Sequence, residues 1–152
     1  MDFGVFNLLQ HRDPDATPQQ VIGEALEHVQ LAEALGFSRV WFAEHHFSNY
    51  SLCPSPMIMC AQAAAMTKTI RVGSAVLILP LHAPARIIAE IALVDTLSGG
   101  RLDVGVGSGY QHYEFERLGA DLAKNKLMFN EILDMMDRGL RQPTFSYAGQ
   151  HF

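Results

Sequence analysis

Glu44, His45 and His46 stand side by side at the end of an apolar run, Trp41-Phe42-Ala43. A stretch that turns abruptly from β-forming residues to a carboxylate and two imidazoles reads as a strand reaching the rim of a buried sheet. That rim is where α/β proteins place their chemistry. Imidazole exchanges protons near neutrality, so the trio suits general acid or base work. Neighbours in a strand point to opposite faces. One histidine is therefore expected to line a pocket and the other to support it, unless the strand has already ended. Two satisfied, semi-buried histidines are the alternative reading.

The second candidate is Gly105-Val106-Gly107-Ser108-Gly109, followed by Tyr110. A dinucleotide fingerprint needs G-x-G-x-x-G and an acidic residue about 20 positions on. Here the glycines alternate, Tyr110 takes the third glycine's place, and no strand carries the acid. A tight turn whose bare backbone lets a ligand approach fits better, with Ser108 and nearby amides available to a phosphate or a flavin ring. Tyr110, His112 and Tyr113 lie in the loop beyond, where an aromatic can cover a ligand or simply sit at the surface. His45, His82 and His112 each follow a strand, but no H-x-H on the first strand accompanies them, so no metal is expected. Cys53 and Cys60 match neither a zinc nor a redox spacing. They read as buried free thiols of a reducing compartment, hence a cytoplasmic protein.

These residues need elements to hold them, and the chain supplies them at regular spacing. Phe3 to Leu9 reads as a first strand. Thr17, Pro18 and Gln20 make a capping box with proline at the first helical position, and Gly36 ends the helix. A second strand runs from Arg39 to about Glu44, with Trp41 expected in the core. Ser55-Pro56 opens a helix over 57–66 that is so poor in charge that burial nearly all round is expected. A third strand spans 70–79, a third helix about 85–97, and Ser98-Gly99-Gly100 closes it. The fourth strand, 101–106, enters the glycine turn, and helical segments over 113–118 and 124–140 follow. Residues 145–152 read as a strand, a turn and a returning strand. Asp95 and Arg101 are near enough in sequence to pair. Strands two, three and four begin near residues 39, 70 and 101, a constant step of 31. Strand–helix units of that length require parallel strands with right-handed crossovers. An open doubly wound sheet and part of a (β/α)8 barrel both satisfy this. A whole barrel takes about 250 residues, and the 152 here hold four units.

Composition narrows the partners. The chain is 49% hydrophobic and only 18% charged, which provides a core and leaves surface meant to be covered. A net charge of −5 gives no reason to expect nucleic acid or an anionic membrane. The first residues lack the basic and apolar regions of a signal peptide. The longest apolar stretch, Ala75 to Leu79, is strand-sized.

Four segments together resemble the bacterial luciferase-like flavin monooxygenases. They are Phe42-Ala43-Glu44-His45-His46-Phe47, Cys53-Pro54-Ser55-Pro56, Val72 to Pro80 with His82-Ala83-Pro84-Ala85-Arg86, and Leu97 to Tyr110. The resemblance runs from the first strand to the last residue. It implies an α/β, TIM-like (β/α)8 barrel, with this chain as about the first four βα units: one partial domain over 1–152, with 144–152 the start of a hairpin insertion. It further implies that reduced FMN binds at the C-terminal rim and reacts with O2, through a peroxyflavin, to oxygenate a small organic substrate. By the same resemblance His45 is the catalytic histidine. Ala75 and Val76 lie against the flavin ring, in some members through a cis peptide, and Ser108 and Tyr110 contact the flavin from the turn after strand four. Luciferase carries arginine at the position of Ser108, where it meets the phosphate; serine departs from this and leaves a deazaflavin-using relative open. A flavin reductase is the implied supplier of reduced FMN. A non-catalytic flavin-binding or assembly protein of the same fold is the alternative. The chain is expected to be a fragment of a longer product, ahead of a half-barrel that pairs with a second copy or a truncated relative. Two exposed parallel edges and an apolar face predict a homo-oligomer or aggregation.

Overall fold

Four strands, β1 (Gly4–Asn7), β2 (Arg39–Phe42), β3 (Arg71–Ile78) and β4 (Leu102–Gly107), lie side by side in chain order, every pair parallel. The computed structural model describes residues 1–152. Between and after the strands come α1 (Pro18–Ala34), α2 (Pro56–Met66), α3 (Pro84–Ser98), α4 (His112–Leu118) and α5 (Asn125–Arg141). The unreversed strand order decides between the two architectures. A doubly wound sheet reverses direction at a switch point, whereas a barrel keeps adding strands on one side. The molecule is a four-unit arc of a (β/α)8 barrel. No helix is long and apolar enough to cross a membrane.

Side-chain alternation gives the arc an inside and an outside. Val40, Phe42, Val72 and Ser74 are fully buried beneath the helices, packed with Val29, Cys60, Ala63, Ile87 and Ile91. The intervening residues face the concave side, where Phe6 remains 54% exposed. Trp41, expected in the core, belongs to this concave set because it sits between the two buried positions 40 and 42. Its indole lies on Gly73, where a Cβ would come 2.6 Å from the ring. At the N-terminal ends of the strands Asp103 ties three of them together. It accepts two bonds from Arg71, at 2.6 and 2.9 Å, and one from Arg39 at 3.1 Å. Those arginine bonds, opposed by partial burial, hold the Asp103 carboxyl below its ordinary range.

Helix starts follow local chemistry. Thr17 and Gln20 form the expected capping box, and the Ser55 hydroxyl accepts from the Ile58 amide at 3.4 Å. Helix α2 is not buried all round: Ile58 is 70% exposed, and Gln62 and Ala65 share its outward stripe. Positions four and seven residues on fall on the side away from the sheet. Burial pushes both free thiols, Cys53 and Cys60, up to about 12, which leaves them unreactive.

Two expectations fail for electrostatic reasons. Arg101 does not pair with Asp95. It donates instead to the carbonyls of Ser98, Ile70, Ala64 and Thr67 and to the Thr67 hydroxyl, at 2.8 to 3.3 Å. The end of α2 offers unpaired carbonyls, and a guanidinium can satisfy several at once. Residues 144–152 contain no strand. The Gln150 and His151 amides donate to the Glu131 carboxylate at 3.0 and 3.1 Å, so a side chain takes the donors that a hairpin ladder would use.

Candidate active site

The C-terminal ends of the strands frame a cavity of about 480 Å³. Three departures from regular strand geometry build it. First, β2 ends at Phe42, earlier than the apolar run suggests. Alternation therefore stops applying, and Ala43, Glu44 and His45 all reach the cavity wall while His46 does not. Second, the β3–β4 ladder slips between Ser74 and Leu77. Ala75 and Val76 together stand opposite Gly105, a bulge of two residues against one. Ser74 and Leu77 both stay buried, and the two residues between them both line the cavity. The peptide joining Ala75 and Val76 is cis. Third, β4 opens into the glycine turn, which brings Ser108, Gly109 and Tyr110 to the cavity lining. Gly109 has φ +75°, and a Cβ there would come within 2.6 Å of Ile78 and 2.7 Å of Phe115, so only glycine fits. Asn125 anchors the turn by donating to the Ser108 and Gly109 carbonyls at 3.2 and 2.9 Å.

Polar groups at the floor are organised by two buried carboxylates. Glu44, 2% exposed, accepts through Oε1 from Nε2 of His46 and of His82 at 2.8 and 2.9 Å. Its Oε2 accepts from the Ile78 amide at 2.6 Å. Burial opposes ionisation of Glu44. The bonds from His46 and His82, the charge of His82 and the Ile78 amide outweigh it and hold the carboxyl below its ordinary range. Glu114, with no exposed surface, accepts through Oε1 from His45 Nδ1 at 3.1 Å and from the His46 amide at 2.9 Å. Tyr50 meets the His45 ring edge-on, centroids 4.8 Å apart. The loops after β1 and β2 are cross-tied by the Leu52 amide on the Leu9 carbonyl at 3.0 Å. Leu9 and Phe47 sit there at positive φ, 53° and 56°, a strained setting for side chains of that size.

His45, Ala75, Val76, Ser108 and Tyr110, the five residues singled out from the sequence, all line this one cavity. The three strand-end histidines do not converge. His45 is held by Glu114 and His82 by Glu44, and His112 is exposed beside Glu116 at 3.9 Å. Sequence reasoning passed over Glu114 and Asn125, and it noticed Glu44 only as part of the trio. Glu114 left one faint signal: a carboxylate directly before an aromatic, at the start of the helical segment that follows the glycine turn.

A family model described as luciferase-like monooxygenase matches residues 1–152. The chain belongs to the luciferase-like monooxygenase family. A Sinorhizobium fredii protein designated y4vJ is 46% identical over 99% of this chain and 43% of its own length. The oxygenase component of the flavin-dependent trigonelline monooxygenase of Acinetobacter baylyi is 32% identical over 78% of this chain and 33% of its own length. Monooxygenase RslO1 from Streptomyces bottropensis has the same fold, with a TM-score of 0.95 at 27% identity, over 100% of this chain and 46% of that one. The chain thus spans less than half the length of these relatives.

Proposed function

We propose that the chain supplies the first four units of a flavin-dependent monooxygenase that uses reduced FMN and O2 to oxygenate a small organic substrate, with His45 as its catalytic acid or base. The observation carrying this reading is the convergence of His45, Ala75, Val76, Ser108 and Tyr110 on one cavity at the strands' C-terminal rim. The flavin dependence named for the Acinetobacter relative supports it, and the words "oxygenase component" support a separate reductase as the supplier of reduced FMN.

The residues present fit a flavin. A planar tricycle needs a flat apolar wall, and Ala75, Val76 and Gly107 provide one without large side chains. Val76 is 40% and Tyr110 70% exposed, so both have apolar surface to be covered. The volume falls within the range of about 300–1,000 Å³ usual for ligand sites. When bound, reduced flavin supplies the electrons that activate dioxygen. The chain's own part is to bind, exclude and move a proton. Ala75, Val76, Ser108 and Tyr110 would contact the flavin; Phe6, Leu8 and Ile78 would add apolar lining; His45 would exchange a proton with whatever meets its ring. A cytoplasmic location accords with the two free thiols. A homo-oligomer accords with exposed Ile58, Leu93 and Leu97 on α2 and α3, at 70, 58 and 62%.

The test is titration with reduced and oxidised FMN, followed by exposure to O2, for wild type and His45→Ala. The expected result is that both bind flavin and that the variant loses about 10²-fold or more in oxygen-dependent flavin turnover. Binding without oxygen chemistry in a protein that spans the whole barrel would instead make this a non-catalytic flavin binder. Preference for a deazaflavin over FMN would move the cofactor assignment.

A further inference from the structure

Glu114 belongs to no motif of the sequence, yet it is a fully buried carboxylate on the cavity wall. It enters from the first turn of α4 and meets a loop 69 residues earlier in the chain. Both donors it receives come from adjacent residues there, the ring Nδ1 of His45 and the backbone amide of His46, and both converge on Oε1. Its Oε2 is buried with no hydrogen-bond partner. A half-satisfied buried carboxylate weakens a fold, and an apolar side chain of similar size would cost less. Packing alone therefore does not account for the residue, and the histidine it touches does.

We propose that Glu114 is a positioning residue for His45, fixing both the orientation of its ring and the nitrogen that carries the proton. Glu114 Oε1 already accepts from the His46 amide, and a carboxylate oxygen that accepts from the ring as well requires the proton of the neutral imidazole on Nδ1. That leaves Nε2 with a free lone pair. Nε2 bonds to nothing in the chain and is not among the buried unpartnered atoms, so it is the ring atom left open to a ligand. The His46 amide pins the same Oε1, so the ring is held from a fixed point rather than from a swinging side chain. Tyr50 packs edge-on against the same ring, centroids 4.8 Å apart. The other buried carboxylate cannot take this role, because its oxygens are committed to His46, His82 and Ile78. His45 thus meets its ligand as a proton acceptor, and Glu114 stabilises the cation that forms. The consequence for turnover rests on the monooxygenase reading above; the position of the proton does not.

The experiment is ¹⁵N NMR of the imidazoles in the full chain labelled with ¹⁵N-histidine, read where the rings are neutral. The His45 signals are assigned by their loss in His45→Ala. The expected wild-type pattern has a protonated Nδ1 and an unprotonated Nε2. Glu114→Ala loses that single tautomer, while His46 and His82, held by Glu44, keep their patterns and report an intact fold. Glu114→Gln restores it, since its amide oxygen can accept from Nδ1. A wild-type ring protonated on Nε2 overturns the proposal, and this arm needs no variant to fold. An unchanged pattern in Glu114→Ala overturns it too. In the flavin–oxygen assay Glu114→Ala lowers turnover by about 10²-fold, and the double variant with His45→Ala is no slower than His45→Ala alone. Additive losses would show that Glu114 acts apart from His45 and overturn the proposal. The expected tautomer together with no flavin–oxygen activity in a protein that spans the whole barrel supports the positioning role and refutes the monooxygenase reading instead.

Discussion

Removing the Glu44 carboxylate tests how the rim is held together. The group is 2% exposed and receives three donors: His46 Nε2 at 2.8 Å, His82 Nε2 at 2.9 Å and the Ile78 amide at 2.6 Å. In Glu44→Ala the Ile78 amide, inside a buried stretch of β3, loses its acceptor at a cost of about 1–3 kcal/mol. The His82 side chain is 23% exposed and can turn to water, whereas the His46 side chain at 11% has less access. The expected loss is about 3–5 kcal/mol, the range for removing one partner of a buried charged cluster. Glu44→Gln keeps one acceptor oxygen but turns its NH2 toward either the Ile78 amide or the imidazoles, for a loss of about 2 kcal/mol. The sign of the pH dependence follows from the depressed folded pKa of Glu44. Its contribution is fully present above its ordinary value of 4.5 and fades as pH falls through the lower folded value. Urea denaturation followed by the fluorescence of Trp41, the one tryptophan, at pH 7 and at steps down to pH about 3 measures both quantities. A loss below about 1 kcal/mol for Glu44→Ala at pH 7 would refute the reasoning. So would a gap between wild type and Glu44→Gln that fails to shrink below pH 4.5.

Two further outcomes are expected away from the cavity. Glu33 gathers the Lys68, Thr69 and Ile70 amides and the Thr69 hydroxyl on one oxygen at 2.7 to 3.0 Å. Although burial opposes its ionisation, those amides hold its carboxyl down at about 2, so an NMR titration of the side-chain carboxyl has its midpoint there. The stabilisation it provides is complete above 4.5 and disappears between 4.5 and about 2; Glu33→Ala costs about 1.5–3 kcal/mol at neutral pH in urea. Arg101→Lys replaces five directed bonds to α2 and its surroundings by at most three from a freely turning ammonium. A loss of about 2 kcal/mol is expected in thermal or urea unfolding, and an unchanged midpoint would mean those bonds contribute nothing net.

What the sequence determined by itself was local or periodic. Thr17 with Gln20, Ser55 before Pro56 and Gly99 after Ser98 mark helix ends because capping involves residues only a few positions apart. The 31-residue step announced parallel strand–helix units because each unit must bury the same kind of face. The run of motifs located five cavity residues. Tertiary structure alone decided the rest. Whether Trp41 faces the helices or the hollow depends on which phase of the alternation the barrel's curvature buries, and a run apolar at every position hides that phase. Whether Ala75 and Val76 both reach the cavity depends on a slip in pairing with β4, a property of two strands together. Arg101 and residues 149–152 chose partners that only folding brings near: the end of α2 and the Glu131 carboxylate. The same holds for His45. Its type and place in the chain marked it as a proton carrier, but the nitrogen that holds the proton is set by Glu114, a residue 69 positions away that the curvature of four strands brings to within 3.1 Å.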